Sequence, residues 1–317
     1  MKIVFMGTPE FAVASLDILI KNNYNIVGVV TVPDKPAGRG QVLQQSAIKK
    51  YALENNLKLM QPEKLKDENF IKELKSLNAD LQIVVAFRML PETVWNMPPL
   101  GTFNLHGSLL PKYRGAAPIN WAIINGDKES GVTTFKLKHE IDTGNILFRE
   151  KTEIKDEDTA GDLHDKLKII GANLVLKTVK EIENSQINHT ELKFLSQNDS
   201  EATHASKISK ETCKINWSLP IEKIHNLIRG LSPYPAAFCL IKNESGGEQV
   251  LKIFKTKIEI ISHNKTNGFL IADKNTLKVY CAGGVLEIME LQLEGKKRMP
   301  TNEFLKGFKI NENTRLI

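Results

Sequence analysis

The sequence predicts an α/β protein with two domains, in which a mostly parallel sheet wound with helices precedes a small β-barrel or sandwich. Three observations support this prediction. Apolar runs alternate with helical periodicity over the front of the chain. A polar stretch follows at 194–209, and short β-type runs with close turns fill most of the remainder. The length of 317 residues is also too great for one typical core.

The elements of the front domain follow from short apolar runs and from helical spacing of apolar residues. The turn GTPE separates the first run, KIVFM, from the first helical stretch. Predicted strands cover 2–6, 25–32, 81–87, 102–106, 131–137 and 145–154, and predicted helices cover 11–22, 45–56, 67–77 and 159–184. Ligands of such sheets bind at the carboxyl ends of the strands, so FNLHGSLLPKYRGAAP at 103–118 is a candidate site.

The back domain has the pattern of a small all-β unit with one helix. The helix is predicted at 221–231. Glycine, asparagine and serine separate β-type runs at 236–241, 250–260, 268–272, 277–281 and 285–291. We therefore predict a domain over 1–193, a linker over 194–209 and a second domain over 210–317.

Composition and the opening residues exclude several classes of protein. With 41% hydrophobic and 25% charged residues, the chain matches an ordinary globular protein. The start, MKIVFMGTPEF, has too short an apolar run for a signal peptide or a membrane span, so we expect a cytoplasmic enzyme. Cys213, Cys239 and Cys281 lie far apart without C-x-x-C spacing, which predicts reduced thiols. His139-Glu140 lacks the second histidine of a helical zinc motif, so no metal is expected.

The positive charge of the chain is unevenly distributed. The net charge is +6, and residues 207–317 contain 18 Lys and Arg against 11 Asp and Glu. The back third therefore carries the whole excess. Clustered positive charge indicates a polyanionic partner, usually a nucleic acid. The alternative is a lysine-rich surface that only contacts solvent.

Asn104 and His106 stand at the end of an apolar run, where an unpaired polar side chain would cost roughly 1–3 kcal/mol. Residues two apart in a strand point to the same face, so both side chains can act on one atom. Asp142, in the IDTG turn after the next predicted strand, supplies a carboxylate that could orient and charge the imidazole. The alternative is that both side chains merely hydrogen-bond the loop GSLLPKYRG.

An amide, an imidazole and a carboxylate, without a serine or cysteine in a recognised nucleophile motif, suit direct acyl transfer between two bound substrates. The amide and an imidazolium can donate to a developing oxyanion, which is worth about 3–4 kcal/mol per donor in a dry site. An amine acceptor must also lose protons, because an α-amino group has a pKa of about 7.7–8.0. The carboxylate can serve as the base that this step needs.

Motifs along the chain resemble those of a known family. The runs NLHGSLLP at 104–111, RGAAPI at 114–119 and DTG at 142–144 resemble the 10-formyltetrahydrofolate-dependent formyltransferases. Members that act on methionyl-tRNA are similar to this chain at MGTPEF (6–11), PDKPAGRG (33–40), INWSLP (215–220), RGLSPYP (229–235) and LEGKKRMP (293–300). This resemblance runs nearly end to end. It implies a Rossmann-like, folate-binding N-terminal domain and a C-terminal barrel of the oligonucleotide-binding type.

The resemblance also implies substrates and site residues. The formyl donor would be 10-formyltetrahydrofolate and the acceptor the α-amino group of initiator methionyl-tRNA, with no metal; we expect a monomer. The implied catalytic residues are Asn104, His106 and Asp142. The implied folate contacts are Phe87, Arg88, Met89, Leu90, Ser108, Leu109, Leu110 and Pro111. The implied loop 33–40 and the basic back domain give the expected tRNA contacts Lys35, Arg39, Lys207, Lys210, Lys296, Lys297 and Arg298.

Two departures from the family pattern and two rival functions accompany this hypothesis. AFRMLP at 86–91 is one residue shorter than the family's A-Y-G-x-x-L-P and lacks its glycine, so the pocket wall should differ. Glu140 stands where a glycine is common, which predicts strain if that position needs a positive φ.

A formyltransferase for a small amine would share the 104–144 signature but would not need a basic back domain. An RNA-binding module on an inactive domain would not need Asn104, His106 and Asp142.

Overall fold

The computed structural model describes residues 1–37, 42–242, 247–311 and 314–317. The chain forms two compact units. The first comprises Met1–Gly115, Ser130–Thr152 and His164–Ala205, and the second comprises Ala116–Glu129, Glu153–Leu163 and Ser206–Ile317. The domain limits predicted at 193 and 210 stay a prediction. Among the described helices, none combines the length and the apolar character needed to cross a membrane.

The front of the chain alternates strands and helices, as predicted. In chain order the elements are β1 Lys2–Gly7, α1 Glu10–Lys21, β2 Asn25–Val30, β3 Lys35–Ala37, β4 Val42–Gln44, α2 Ala47–Glu54, β5 Leu59–Met60, α3 Glu68–Ser76, β6 Leu81–Val85, α4 Glu92–Trp95, β7 Thr102–His106, β8 Arg114–Gly115, α5 Pro118–Asn125, β9 Glu129–Lys136, β10 Ile146–Glu153, α6 Ala160–Ile187, a 3₁₀ turn Asp199–Glu201 and β11 His204–Ala205. Side-chain caps begin two helices: Ser46 accepts from the Lys49 amide, and Asp67 accepts from the first turn of α3.

The first unit contains a seven-stranded sheet of order β10-β9-β7-β6-β1-β2-β5. The pairs β5–β2, β2–β1, β1–β6 and β6–β7 are parallel, whereas β7 and β9 are antiparallel. The five residues of β6 are all buried, as expected for a central parallel strand covered on both faces. The predicted α/β, Rossmann-like class is confirmed, and the carboxyl end of β7 lies at the edge where sheets of this class generally bind ligands.

The second unit combines an antiparallel β-barrel with helices, of which α5 precedes the barrel in the chain. Its later elements are α7 Ile221–Leu231, β12 Ala237–Lys242, β13 Glu248–Ile260, β14 Leu270–Ala272, β15 Leu277–Cys281, β16 Gly284–Leu293, β17 Met299–Pro300, α8 Thr301–Gly307 and β18 Arg315–Leu316. The strand order is β14-β15-β16-β13-β12-β18, with β17 paired to β16. The two edge strands of this sheet are β14 and β18. Gly268, just before β14, lies near β18, because an added Cβ there would lie 3.7 Å from the Leu316 carbonyl oxygen. The predicted C-terminal barrel is confirmed.

The structure adds elements that the sequence analysis did not predict, among them α4, α5, α8 and the β3–β4 hairpin. α5 was not predicted, although proline stands at its start and Gly126 ends it with φ of 80°. Within the polar stretch predicted as a linker, Leu195 exchanges two backbone hydrogen bonds of 2.8 Å with Ile146. Further along the same stretch, β11 pairs with β8 in parallel. Residues 195–205 are therefore bound to the first unit by regular backbone pairing.

Candidate active site

A polar pair ends β7 between two neighbouring strands. Pairing with β6 on one side and β9 on the other makes β7 a central strand, on which Asn104 and His106 share a face. His106 is only 6% exposed, and Asn104 is partly exposed. Within the described part of the chain, the Asn104 side chain makes no hydrogen bond. Its amide is therefore available to a substrate.

His106 is held between a carbonyl and a carboxylate. Its Nε2 lies 2.8 Å from the carbonyl oxygen of Tyr113. A carbonyl oxygen only accepts, so Nε2 carries the hydrogen and donates. Its Nδ1 lies 3.7 Å from Oδ2 of Asp142, within ion-pair range but beyond hydrogen-bond range. The structure thus brings Asp142 beside His106. His106 and Asn104 lie on the same strand, β7.

Asp142 occupies a tight turn between β9 and β10. Its φ of 56° is in the left-handed region, which aspartate tolerates better than most residues. Its Oδ2 accepts a hydrogen bond of 2.9 Å from the Gly115 backbone N–H. At Gly144 an added Cβ would lie 1.8 Å from the Lys136 carbonyl oxygen, so only glycine fits. Glu140 is exposed, and the left-handed residue of this turn is Asp142.

The loop after β7 is fixed by hydrogen bonds to residues of β9 and β10. The hydroxyl of Thr133 donates to the Ser108 carbonyl oxygen at 2.6 Å and accepts from the Leu110 N–H at 3.1 Å. Arg149 donates to the Leu110 carbonyl oxygen at 3.1 Å. Of the four predicted folate residues in this loop, three are buried and the last is partly exposed: Ser108, Leu110, Pro111 and Leu109.

The shortened segment at 86–91 leaves one of its predicted folate residues largely exposed. Phe87 and Leu90 pack into the apolar core of the sheet. Arg88 donates from Nη1 and Nη2 to backbone carbonyls of 62–63, at 2.9 and 2.8 Å. Met89 is 71% exposed. A ligand at this segment would therefore meet the Met89 side chain first.

Six of the seven predicted tRNA contacts are exposed cations. Arg39 lies outside the described residues. Within the described ranges, no ion pair involves the exposed lysines Lys35, Lys207, Lys210, Lys296 and Lys297. Arg298 differs because it forms two hydrogen bonds to Glu290, of 2.7 and 2.5 Å, and stacks 4.2 Å over the Phe254 ring. Its charge is thus already balanced by a carboxylate.

Sequence reasoning missed two side chains that contact the site. Gln197 donates from Nε2 to the carbonyl oxygens of Asp142 and Gly144, each at 2.8 Å. The hydroxyl of Thr203 accepts from the Tyr113 N–H at 2.8 Å. These partners lie 53 to 90 positions away in the chain. No local pattern could have revealed them.

Comparison with known proteins agrees with this fold. The family described as "Formyl transferase" matches residues 1–179, and "Formyl transferase, C-terminal domain" matches residues 207–309. The chain therefore belongs to the formyl transferase family of enzymes, as the motifs predicted. The methionyl-tRNA formyltransferase of Bacteroides thetaiotaomicron is 52% identical to it, over 100% of this chain and 98% of the relative. That of Flavobacterium johnsoniae is 51% identical, over 100% and 99%.

The solved structures also include formyl transferases of other substrates. A sugar 3N-formyl transferase, WlaRD, was crystallised in the presence of dTDP and 5-N-formyl-THF. Its TM-score is 0.67 and its identity 26%, with 94% of this chain and 99% of that chain covered. The fold is thus shared with an enzyme whose structure was determined with a folate.

Proposed function

We propose that the protein transfers the formyl group of 10-formyltetrahydrofolate to the α-amino group of methionine on initiator methionyl-tRNA, for translation initiation. The observation that carries this proposal is full-length identity of 51 to 52% to methionyl-tRNA formyltransferases. The placement of Asp142 beside His106 supports it. Because translation takes place in the cytoplasm, the proposal implies a cytoplasmic enzyme, which we expect to act as a monomer.

The transfer forms one C–N bond and breaks another. The amine nitrogen attacks the formyl carbon, and the formyl oxygen gains negative charge. The bond from that carbon to folate N10 then breaks, N10 takes up a proton, and the amine loses one. We assign the Asn104 amide and the Nε2–H of His106 as donors to the oxyanion, worth about 3–4 kcal/mol each. The formyl oxygen must compete with the Tyr113 carbonyl for the hydrogen of Nε2.

Asp142 has an electrostatic and a proton-transfer role in this proposal. At 3.7 Å its carboxylate can stabilise an imidazolium at His106, although it does not hydrogen-bond the ring. Oδ2 also accepts from the Gly115 N–H, which fixes the direction of the carboxylate. Asp142 is the only carboxylate among the three proposed catalytic residues, and in this proposal it helps to remove the amine proton.

The folate contacts are proposed at the two segments that follow the neighbouring strands β6 and β7. Phe87, Arg88, Met89 and Leu90 form one wall; Ser108, Leu109, Leu110 and Pro111 form the other. The buried members shape the wall, because their side chains are packed or hydrogen-bonded within the protein. Met89 and Leu109 offer apolar side-chain surface to the ligand.

We propose that the tRNA binds mainly exposed lysines that form no ion pair within the described residues. These are Lys35, Lys207, Lys210, Lys296 and Lys297, with Arg39 and Arg298 as further contacts. Exposed lysines bind phosphates without reading base sequence. Because Glu290 already pairs with Arg298, we expect this arginine to contribute less than the adjacent lysines.

A formylation assay with matched acceptors tests the proposal. The enzyme is incubated with 10-formyltetrahydrofolate and either charged initiator tRNA, free methionine or an amino-sugar nucleotide. We expect formylation of the charged tRNA alone. The fold shared with a sugar 3N-formyl transferase makes an amino sugar the second candidate acceptor. Faster formylation of the amino-sugar nucleotide would overturn the proposed acceptor and leave formyl transfer intact.

A further inference from the structure

We propose that Gln197 is a positioning residue, which holds the turn of Asp142 so that its carboxylate faces His106. This inference rests on the proposed function of that site. Gln197 comes from the polar stretch that the sequence predicted as a linker. It touches neither the imidazole nor the carboxylate and acts through the backbone of the turn.

Both amide hydrogens of Gln197 bind the same turn. Nε2 donates to the carbonyl oxygens of Asp142 and Gly144, each at 2.8 Å. The first of these two carbonyls belongs to Asp142 itself, whose backbone is in the left-handed conformation with φ of 56°. Such a conformation costs energy and persists only where the surroundings stabilise it. The two hydrogen bonds supply that stabilisation from outside the turn.

The carbonyl oxygen of Gln197 is held by an arginine, which fixes the orientation of the amide. Oε1 accepts from Nε and Nη2 of Arg114, at 3.1 and 2.8 Å. The same Nη2 donates to Asp199 at 2.7 Å. Gln197 thus uses both donors and both lone pairs of its acceptor. Rotating the amide by half a turn would bring its NH₂ against a guanidinium and its oxygen against two carbonyls.

The backbone of Arg114 connects the same stretch to the carboxylate of Asp142. The N–H of Arg114 donates to the Thr203 carbonyl oxygen at 2.9 Å, within the β8–β11 pairing. The next residue, Gly115, donates its N–H to Oδ2 of Asp142. Residues 197–203 therefore fix both the backbone of Asp142 and the amide that orients its carboxylate. A shift of about 1 Å at such a site can cost roughly a hundredfold in rate.

Two substitutions of Gln197 separate its donors from its acceptor. Gln197→Glu keeps a partner for Arg114 but removes the amide donors and places negative charge beside two carbonyls. Gln197→Ala removes donors and acceptor together. We expect each variant to lower kcat about 10- to 100-fold, with KM for formyl-folate and for the acceptor within twofold. Asn198→Ala is the matched control, because among the described residues the Asn198 side chain hydrogen-bonds only Ser200 and Glu201.

A double-mutant cycle with Asp142→Asn shows whether Gln197 acts through that carboxylate. In single-turnover assays, Gln197→Ala should have less than a threefold effect once Asp142 is changed. An undiminished effect would mean a general structural role, and kcat within twofold of the unsubstituted enzyme would overturn the positioning role. All variants are compared on whichever amine the unsubstituted enzyme formylates. If charged tRNA is not that amine, the proposed acceptor is wrong while Gln197 is still tested.

Discussion

Each unit contains a buried histidine with chemically different neighbours. His106 is 6% exposed and His225 is 8% exposed, so burial does not distinguish them. A carbonyl oxygen and a carboxylate oxygen face the two nitrogens of His106. The Nδ1 of His225 lies 2.9 Å from the Thr256 hydroxyl, which can donate or accept, and the ring also hydrogen-bonds the backbone of Asp156. A carboxylate lies within ion-pair range of His106, whereas the strongest influences on the pKa of His225, burial and Arg229, favour a neutral ring.

Burial and the charge of Arg229 both favour the neutral form of His225. Burial, and then the positive charge of Arg229, lower the pKa of His225 below its usual value. Arg229 is itself buried and donates to the Asp158 carbonyl oxygen at 2.9 Å. A neutral histidine beside a buried cation is a packing and hydrogen-bonding residue. The comparison teaches that the partners of a buried histidine, and not its burial, indicate chemistry.

The largest expected effects come from removing oxyanion donors in the first unit. Asn104→Ala and His106→Ala should each lower kcat by about 10²–10³, because each removes one proposed donor to the charged oxygen. Dissociation constants for tRNA should stay within twofold, since the donors act in the transition state. Single-turnover formylation and filter binding measure the two quantities. His225→Gln is the matched control, and a similar loss of kcat in that variant would contradict the contrast between the histidines.

Sequence patterns predicted the parts of this contrast that depend on local spacing. Period-two alternation placed Asn104 and His106 on one face of a strand, because side chains alternate along any strand. Helical spacing of apolar residues gave α7 its observed bounds, Ile221–Leu231. The sequence also indicated Asp142 as a carboxylate that could orient the His106 imidazole, and the family resemblance implied the same residue. The roles of all three residues stay predictions.

Contacts between distant residues could not be predicted from local patterns. Nothing around Gln197 distinguishes its stretch from a linker, because its partners belong to a turn formed by β9 and β10. The hydrogen bond between Tyr113 and His106 depends on the path of a loop after β7. The missed prediction of α5 has a different cause, since its starting proline and terminal Gly126 were visible in the sequence.

The next largest effect is expected from exposed cations of the second unit. Changing Lys296 and Lys297 together to Ala should flatten the dependence of log K on log salt, by about 0.7–0.9 for each phosphate that the variant no longer neutralises. Arg298→Ala is the matched control, because Glu290 already pairs with this arginine and a smaller change follows. Binding of several tRNAs is titrated at three or more salt concentrations. Equal changes for both variants would show that the Glu290 pair opens on binding.

A smaller, substrate-specific effect is expected from the exposed side chain of the shortened segment. Met89→Ala should raise KM for formyl-folate about three- to fivefold and leave KM for the acceptor unchanged, because 71% of this residue is accessible to a ligand. Phe87 is packed in the core and would not serve as a control. Leu43→Ala is a better control for Met89→Ala, because the Leu43 side chain is also apolar and is 65% exposed. Equal effects of Met89→Ala on both Michaelis constants would argue against a folate wall here.

The smallest expected effect is on stability rather than on catalysis, and it comes from His225. Burial and Arg229 lower its pKa, and the opposing attraction of Glu157 and Asp156 does not restore it. Below the usual value of 6.5, the unfolded chain therefore binds a proton that the folded chain does not. The stability gained from a neutral His225 is fully present above 6.5 and is lost as pH falls toward the lowered pKa.

His225→Gln removes this titration while keeping a side chain that can hydrogen-bond Thr256. Between pH 6.5 and 5.5, the unfolding free energy of the unsubstituted protein should fall more steeply than that of the variant. The difference should not exceed about 1.4 kcal/mol, the value of one pKa unit. Urea unfolding at constant ionic strength measures it at each pH. A variant with the same or a steeper slope would show that His225 is charged in the folded protein, and the contrast with His106 would fail.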